Sequence, residues 1–366
     1  MNTSWHFYQV NHPVVWRRGI LRRQTGILSR EESPVLSYIL RRTLMLIPIV
    51  IVMSAVAFFL IQLPPGDYVS FRIIQLQNTG VQVSAQQAQA LKVQFGLDKP
   101  PLVRYFQWVS GIVLHGNWGY SLQWQKPVSE ILTERVPMTV AISIAALLFS
   151  WIVAIPIGIY SATHQYSVGD YLFTFIGFIG VATPGFLLAL IMAWFIFTTL
   201  NFSVTGMFSK EFTDAAWSIP RVFDLLKHMV LPLILVGLSN TGVTIRVIRN
   251  NLLDELHKQY VITARAKGMS EWALLIKYPV RMAVNPILSS VSWVLPGLFS
   301  GTILIDIVLS LQTVGPVLLR ATMAQDMYLA GSVVLILSVL TVIGALIGDI
   351  LLVLVDPRIR FGRIEK

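Results

Sequence analysis

Apolar residues in this chain come in long uninterrupted blocks, and polar residues collect between them. A helix rises about 1.5 Å per residue, so a hydrocarbon layer about 30 Å thick calls for roughly 20 apolar residues. Six blocks meet that length: 44–63, 138–160, 171–200, 229–247, 282–309 and 329–355. Backbone groups at membrane depth must find hydrogen bonds within their own segment, so each block is expected to be a helix. Pro156, Pro184-Gly185, Pro232, Pro286 and Pro296-Gly297 lie inside the blocks and predict kinks against neighbouring helices. The block at 229–247 is the shortest and the most polar. The expected class is an all-α membrane protein with six transmembrane helices.

Composition supports this. Apolar residues make up 55% and charged residues 13%, against roughly 25% charged in a soluble domain. The net charge of +10 does not read as a nucleic-acid surface, because charge-free blocks separate the basic residues. It reads as topology, since Lys and Arg gather on the cytoplasmic side. With the N-terminus inside, the inner segments hold seven basic residues in 1–43, none in 161–170, seven in 248–281 together with Arg246, and four in 356–366. The outer segments hold six, three and one, and the six lie in a long loop that crosses a membrane largely regardless of charge. Arg41-Arg42 abuts the first block, and Arg358, Arg360 and Arg363 follow the last. Both termini are therefore expected inside. Block 44–63 is followed by Leu63-Pro64-Pro65-Gly66-Asp67, not by a small-x-small cleavage site, so it reads as a retained anchor. The chain divides into a tail at 1–43, a first helix at 44–63, an external loop at 64–137, a five-helix core at 138–355 containing an internal loop at 248–281, and a tail at 356–366. The first tail reads as a basic segment near anionic lipid headgroups.

Two connecting segments carry structure of their own. In the external loop, the Ala- and Gln-rich stretch 84–95 stops at Gly96 and predicts a helix. Its aromatic residues, Tyr105 and Trp108 among them, either pack together as a cap or present a docking surface. The internal loop reads Gln259-Tyr260-Val261-Ile262-Thr263-Ala264-Arg265-Ala266-Lys267-Gly268-Met269-Ser270-Glu271-Trp272. Residues up to Lys267 favour helix, Gly268 suits a left-handed cap, and the Ser270 hydroxyl can cap a second helix. Arg265 and Lys267 suit the negative end of the first helix dipole. Two short helices bent at Gly268 are expected beneath the membrane. Tyr260, Val261, Ala264 and Met269 then form an apolar side that meets either lipid or a partner's groove.

Catalytic chemistry is missing. No Gly-x-x-x-x-Gly-Lys-Ser/Thr, His-Glu-x-x-His or Gly-x-Ser-x-Gly pattern occurs, and the six histidines are scattered. No cysteine is present, which excludes thiolate metal sites and disulfides. Asp306 and Asp349 are the carboxylates inside the blocks, both near block ends where a headgroup or a neighbouring arginine can solvate them. They form no proton relay, which argues against the alternative of a self-sufficient secondary transporter or channel. A membrane hydrolase would need a base beside Ser292 or Asp349, and the sequence offers none. Small polar residues inside the blocks, among them Asn240, Ser292 and Ser300, either line a polar route or permit close helix packing. The chain thus looks built to pass a solute yet contains no energy source, and the bent internal loop is where an external motor would push.

The run Tyr260-Val261-Ile262-Thr263-Ala264-Arg265-Ala266-Lys267-Gly268-Met269 resembles the "EAA" loop of bacterial ABC importer permeases, with Ile262 and Thr263 where that signature has an acidic residue and a second alanine. Gly96-Leu97-Asp98-Lys99-Pro100, Trp108, Gly116-x-x-Gly119-x-Ser121, Pro127-Val128, Arg135-x-Pro137-x-Thr139, Pro184-x-Phe186 and Leu231-Pro232 resemble the B-type subunit of the dipeptide/oligopeptide/nickel group. The resemblance implies the six-helix type I permease fold in a bacterial inner membrane. It implies a non-catalytic subunit that pairs with a second homologous permease, two cytoplasmic ATPase subunits and an external solute-binding protein. It implies no cofactor of its own, ATP and Mg being bound by the ATPases. Residues Tyr260, Val261, Thr263, Ala264, Arg265, Ala266, Lys267, Gly268 and Met269 would couple to an ATPase, and the solute would be a small peptide or an oligosaccharide.

Overall fold

The computed structural model describes residues 34–63, 66, 68–78, 84–94, 96–213 and 215–355. The basic stretch 1–33, Pro64-Pro65, Asp67, Phe95 and the tail at 356–366 lie outside the described residues, and with them most of the charges that set the expected orientation of the termini.

Helix α1 (Pro34–Ile61) takes in Arg41 and Arg42 and so begins ten residues before the apolar block. The segment after α1 forms α2 (Tyr68–Asn78), α3 (Ala85–Gln94) and α4 (Pro101–His115), then a hairpin of two-residue strands, β1 (Tyr120–Ser121) and β2 (Lys126–Pro127), paired antiparallel. The expected helix over 84–95 is present and starts on a reciprocal cap. The Ser84 N–H donates to Gln87 Oε1 at 3.0 Å, and the Gln87 N–H donates to Ser84 Oγ at 3.2 Å. It stops ahead of Gly96 at φ +65°. Tyr105 and Trp108 of α4 are buried against Phe58 of α1, with the Trp108 and Phe58 rings stacked at 5.5 Å.

Beyond the hairpin come α5 (Val128–Thr163), α6 (Val168–Ala182), α7 (Gly185–Leu200) and α8 (Ile219–Leu256). The last third holds α9 (Gln259–Ala266), α10 (Glu271–Lys277), α11 (Pro279–Gly301), α12 (Ile303–Val308), α13 (Val314–Met323) and α14 (Met327–Val355). Among the described residues, five helical stretches are long and apolar enough to cross a membrane. The block at 171–200 corrects the expectation of one continuous kinked helix: α6 and α7 meet at 110°. The cause is local. Proline disfavours a helical residue before it, and Thr183 is extended at φ −101° and ψ 131°. Proline also lacks the N–H that would continue the ladder, so the helix restarts with the Leu187 and Leu188 N–H groups donating to the Pro184 carbonyl. Pro156, Pro232, Pro286 and Pro296 stay inside their helices. The shortest block is, as a helix, the longest: α8 begins at Ser218, whose Oγ accepts the Arg221 N–H at 3.4 Å, and its polar ends extend beyond the apolar window.

Contacts along the helices fix their directions. Gly237 lies against Ala146 and Phe149, and Gly158 against Ile245 and Ile248, so α5 and α8 run the same way. Helix α6 runs against them, with Asp170 at Arg249, Gly177 at Gly242 and Gly180 at Leu238. The bent pair α6–α7 therefore returns the chain from one end of the bundle to the other. Helices α11 and α14 are antiparallel, Gly344 meeting Pro296 and Gly348 meeting Ser292. Arg42 of α1 pairs with Asp349 of α14 at 2.8 Å, while Ile61 approaches Gly331, so these two are antiparallel as well. The start of α1, the end of α14 and the α9–α10 module thus share one end, here the foot end. The hairpin, α13 and the segment before α8 share the opposite, hairpin end.

Carboxylates at the hairpin end are buried and hydrogen-bonded, Asp326 across a long sequence distance and the others locally. Asp326 accepts from Ser121 Oγ at 2.7 Å, from the Gln123 N–H at 3.1 Å and from the Leu329 N–H at 3.3 Å. Burial pushes its carboxyl above the usual aspartate range, against these hydrogen bonds. Thr302 and Thr313 donate to Asp306 at 3.3 and 2.8 Å. Asp306 is therefore held by hydroxyls within the protein, which corrects the expectation of a headgroup or arginine, whereas Asp349 has its arginine. Asp170 and Asp224 also carry charge into helical segments, Asp170 paired with Arg249 at 3.1 Å and Asp224 accepting from the Ser209 N–H and Oγ at 2.7 and 2.6 Å.

Candidate functional site

The foot is two short helices joined at a bend. Helix α9 ends at Ala266, and Lys267 caps it. The Gly268 N–H donates to the Arg265 carbonyl at 3.0 Å and the Met269 N–H to the Ala264 carbonyl at 3.4 Å. Gly268 holds φ +78°, a left-handed conformation that costs an L-residue about 1–2 kcal/mol. A Cβ built there meets nothing within 4 Å, so backbone conformation, not space, selects glycine. Ser270 stands at the start of α10 with extended geometry, but its hydroxyl makes no capping bond, contrary to expectation.

The Arg265 guanidinium closes the bend instead, with Nε and Nη2 donating to the two Glu271 carboxylate oxygens at 2.5 and 3.0 Å. Glu271 holds that arginine above its ordinary pKa. Both side chains are exposed, so the pair sets geometry more than stability. The Tyr260 hydroxyl donates a short bond to Glu255, and Lys258 pairs with the same carboxylate at 2.5 Å. Partial burial and the Glu255 charge push Tyr260 up to about 12.

The foot is anchored on one side and open on the other. Val261 and Leu274 are fully buried, and Leu275 packs with Ala162, Leu252 and Ala283. On the open side Tyr260, Thr263, Ala264, Lys267 and Met269 line a groove of about 860 Å³ that continues over Tyr278 and Met282. Its rim carries Lys277 and Arg281 besides Lys267. Trp272 is 71% exposed on the module. Of the residues singled out in the loop, Tyr260, Thr263, Ala264, Lys267 and Met269 meet in one groove. Val261 anchors, Arg265 braces, Ala266 ends α9 and Gly268 bends. Sequence reasoning missed Glu271 as the brace and Trp272, Tyr278, Arg281 and Met282 as surface. An opposite charge just past the glycine, followed by a tryptophan in a polar loop, was the available signal.

The three small polar residues serve separate helix contacts. Asn240 of α8 donates its amide to Ser150 of α5 at 2.9 Å. Ser292 of α11 donates to Asp349 of α14 at 3.4 Å. Ser300 is exposed and bonds back to Pro296 of its own helix at 3.2 Å.

A bundle of long apolar helices with a bent, basic, half-apolar foot on one end defines a membrane protein. Comparison with known proteins gives the family. Residues 154–361 match the model of the binding-protein-dependent transport system inner membrane component, and residues 35–143 match its N-terminal partner model. The chain belongs to this family. It is 30% identical to the oligopeptide transport system permease protein AppB of Bacillus subtilis, over 89% of this chain and 99% of that protein. It is 29% identical to the dipeptide transport system permease protein DppB of Alkalihalophilus pseudofirmus, over 89% of this chain and all of that one. It is 27% identical to the peptidoglycan transport system permease protein YejB of Agrobacterium fabrum, over 89% of this chain and 99% of that one.

Proposed function

We propose that this chain is one of two permease subunits of an ATP-driven, binding-protein-dependent importer that carries small peptides or oligosaccharides across a bacterial inner membrane. The names of the relatives favour peptides. The bent pair α6–α7 counts as one crossing in this reading, which makes six, with both termini and the foot in the cytoplasm. A second, homologous permease completes the pathway, two ATPase subunits bind ATP and Mg and carry out the hydrolysis, and an external binding protein delivers the solute. The subunit itself is non-catalytic.

The observation that carries the proposal is the foot. Its groove is apolar at the floor and basic at the rim, and suits an apolar ATPase surface bordered by acidic residues. Nucleotide-driven closure of the ATPases would move α9 and α10 as one piece, because the Arg265–Glu271 pair spans the bend. Asn240, Ser292 and Ser300 remain candidates for the solute path. Reconstituted with its partners, the complex should show solute-stimulated ATP hydrolysis and uptake, and Gly268→Asp should sever the two. Uptake by the chain alone, driven by a proton or sodium gradient, would overturn the proposal.

A further inference from the structure

A second recess lies at the hairpin end. It is a pocket of about 370 Å³ between the start of α5 and the α12–α13 turn, lined by Trp124, Arg135, Gln312, Thr313 and Arg320 among others. That volume is in the range of small-ligand pockets. Among the described residues, no aspartate or glutamate lines it. Arg135 Nε and Trp124 Nε1 are buried there with no acceptor, although buried donors are nearly always bonded. Arg42, Arg249 and Arg265 each pair with a carboxylate, and Arg104 and Arg221 bond to the Gln62 side chain and to backbone carbonyls, whereas Arg135 and Arg320 do neither among the described residues. Arg135 lies over the Trp124 ring at 5.8 Å, which orients its planar donor fork. The floor is firm: Leu311, Thr313 and Val317 are buried, and the Val314 N–H donates to Thr139 Oγ1 at 3.1 Å, one helical turn beyond Arg135.

We propose that this recess is an anion subsite that receives the terminal carboxylate of an incoming peptide. The proposal rests on the importer reading above and adds a feature of the solute to it. A guanidinium fork matches a carboxylate with two parallel hydrogen bonds, and a second guanidinium at the rim draws the anion in. The buried donor favours a free end group over an acidic side chain of the binding protein. Arg320 is exposed and open to either, but Arg135 Nε lies below the surface, where only a slender group fits.

The test uses the whole reconstituted importer and short alanine-rich peptides, each made as the free acid and as the C-terminal amide. Binding-protein occupancy is matched for the two forms. The unaltered complex should import acids about tenfold faster than amides, the scale of one charge-assisted pair. Arg135→Gln with Arg320→Gln should bring the acids down to the amide rate and leave the amides within about twofold. Arg135→Lys, which keeps the charge but not the fork, should restore only part of the preference. An acid preference that persists in the double variant overturns the subsite. So does an equal fall of acids and amides, and if a higher binding-protein concentration is then needed for half-maximal ATP hydrolysis, the recess belongs to the binding protein. An unaltered complex that imports neither form and shows no solute-stimulated ATP hydrolysis would instead overturn the importer reading.

Discussion

The hairpin end of the bundle and the bent module at its foot are built on opposite principles. At the hairpin end, buried carboxylates tie loops to helices: Asp326 to Ser121 across 205 residues and, more locally, Asp224 to Ser209 and Asp306 to Thr313. Each lies where water cannot replace a lost partner. At the foot end, the bent module is joined to the bundle through a few apolar side chains and braced by one exposed ion pair. In the proposed importer, the difference separates a frame from a lever. A frame must keep long-range geometry, so its bonds are buried and costly to break. A lever must keep its own shape while moving against the rest, so its shape is fixed locally, by a glycine and a neighbouring charge pair.

The comparison breaks most visibly at Asp326. Asp326→Ala leaves three donors unsatisfied, two of them backbone N–H groups, and should cost about 3 kcal/mol or more. A lowered thermal midpoint of the purified protein and faster proteolysis within the hairpin segment would register it. Substitutions at Gly268 should behave in the opposite manner. Gly268→Val should lower the thermal midpoint less than Asp326→Ala does, while ATP hydrolysis in the assembled complex loses its dependence on solute. Gly268→Asn, whose side chain tolerates the left-handed region, should retain most of the coupling. If both variants unfold the protein, the foot is part of the frame and the comparison fails.

Smaller effects sharpen the picture. Arg265→Glu alone should weaken coupling, and adding Glu271→Arg should recover it, with the thermal midpoint unmoved throughout. Smallest is the alkaline signal of Tyr260. A phenol raised from 10 to about 12 stays protonated through the working range. Its bond to Glu255 is fully present below pH 10 and is lost as pH rises through about 12. The ultraviolet titration of the unaltered protein minus that of Tyr260→Phe should therefore show a phenol titrating near pH 12.

How far these regions could be read in advance follows the same division. The foot was legible because its causes are local: a helix-favouring run, a glycine at a left-handed cap and a polar restart lie within a dozen residues. The helix at 84–95 was legible for the same reason. The 110° break between α6 and α7 was only half legible. Pro184 announced a kink, but its size depends on what α7 packs against, namely Ile305 of α12, which lies directly on Gly185. The frame was not legible. Ser121 and Asp326 are 205 residues apart, and nothing in either neighbourhood names the other. The open groove was partly legible. Tyr260, Ala264 and Met269 could be placed on one side of the loop, but Tyr278 and Met282 join them only because α11 starts beside α9.

The chain contains no cysteine, so a single Ala264→Cys substitution reports on the foot without background. In the assembled complex, that thiol should react with an impermeant maleimide only from the cytoplasmic side, and should crosslink to an ATPase subunit with a yield that changes when nucleotide is added. Labelling from the outer face, or a crosslink yield indifferent to nucleotide, would contradict a lever moved by the ATPases.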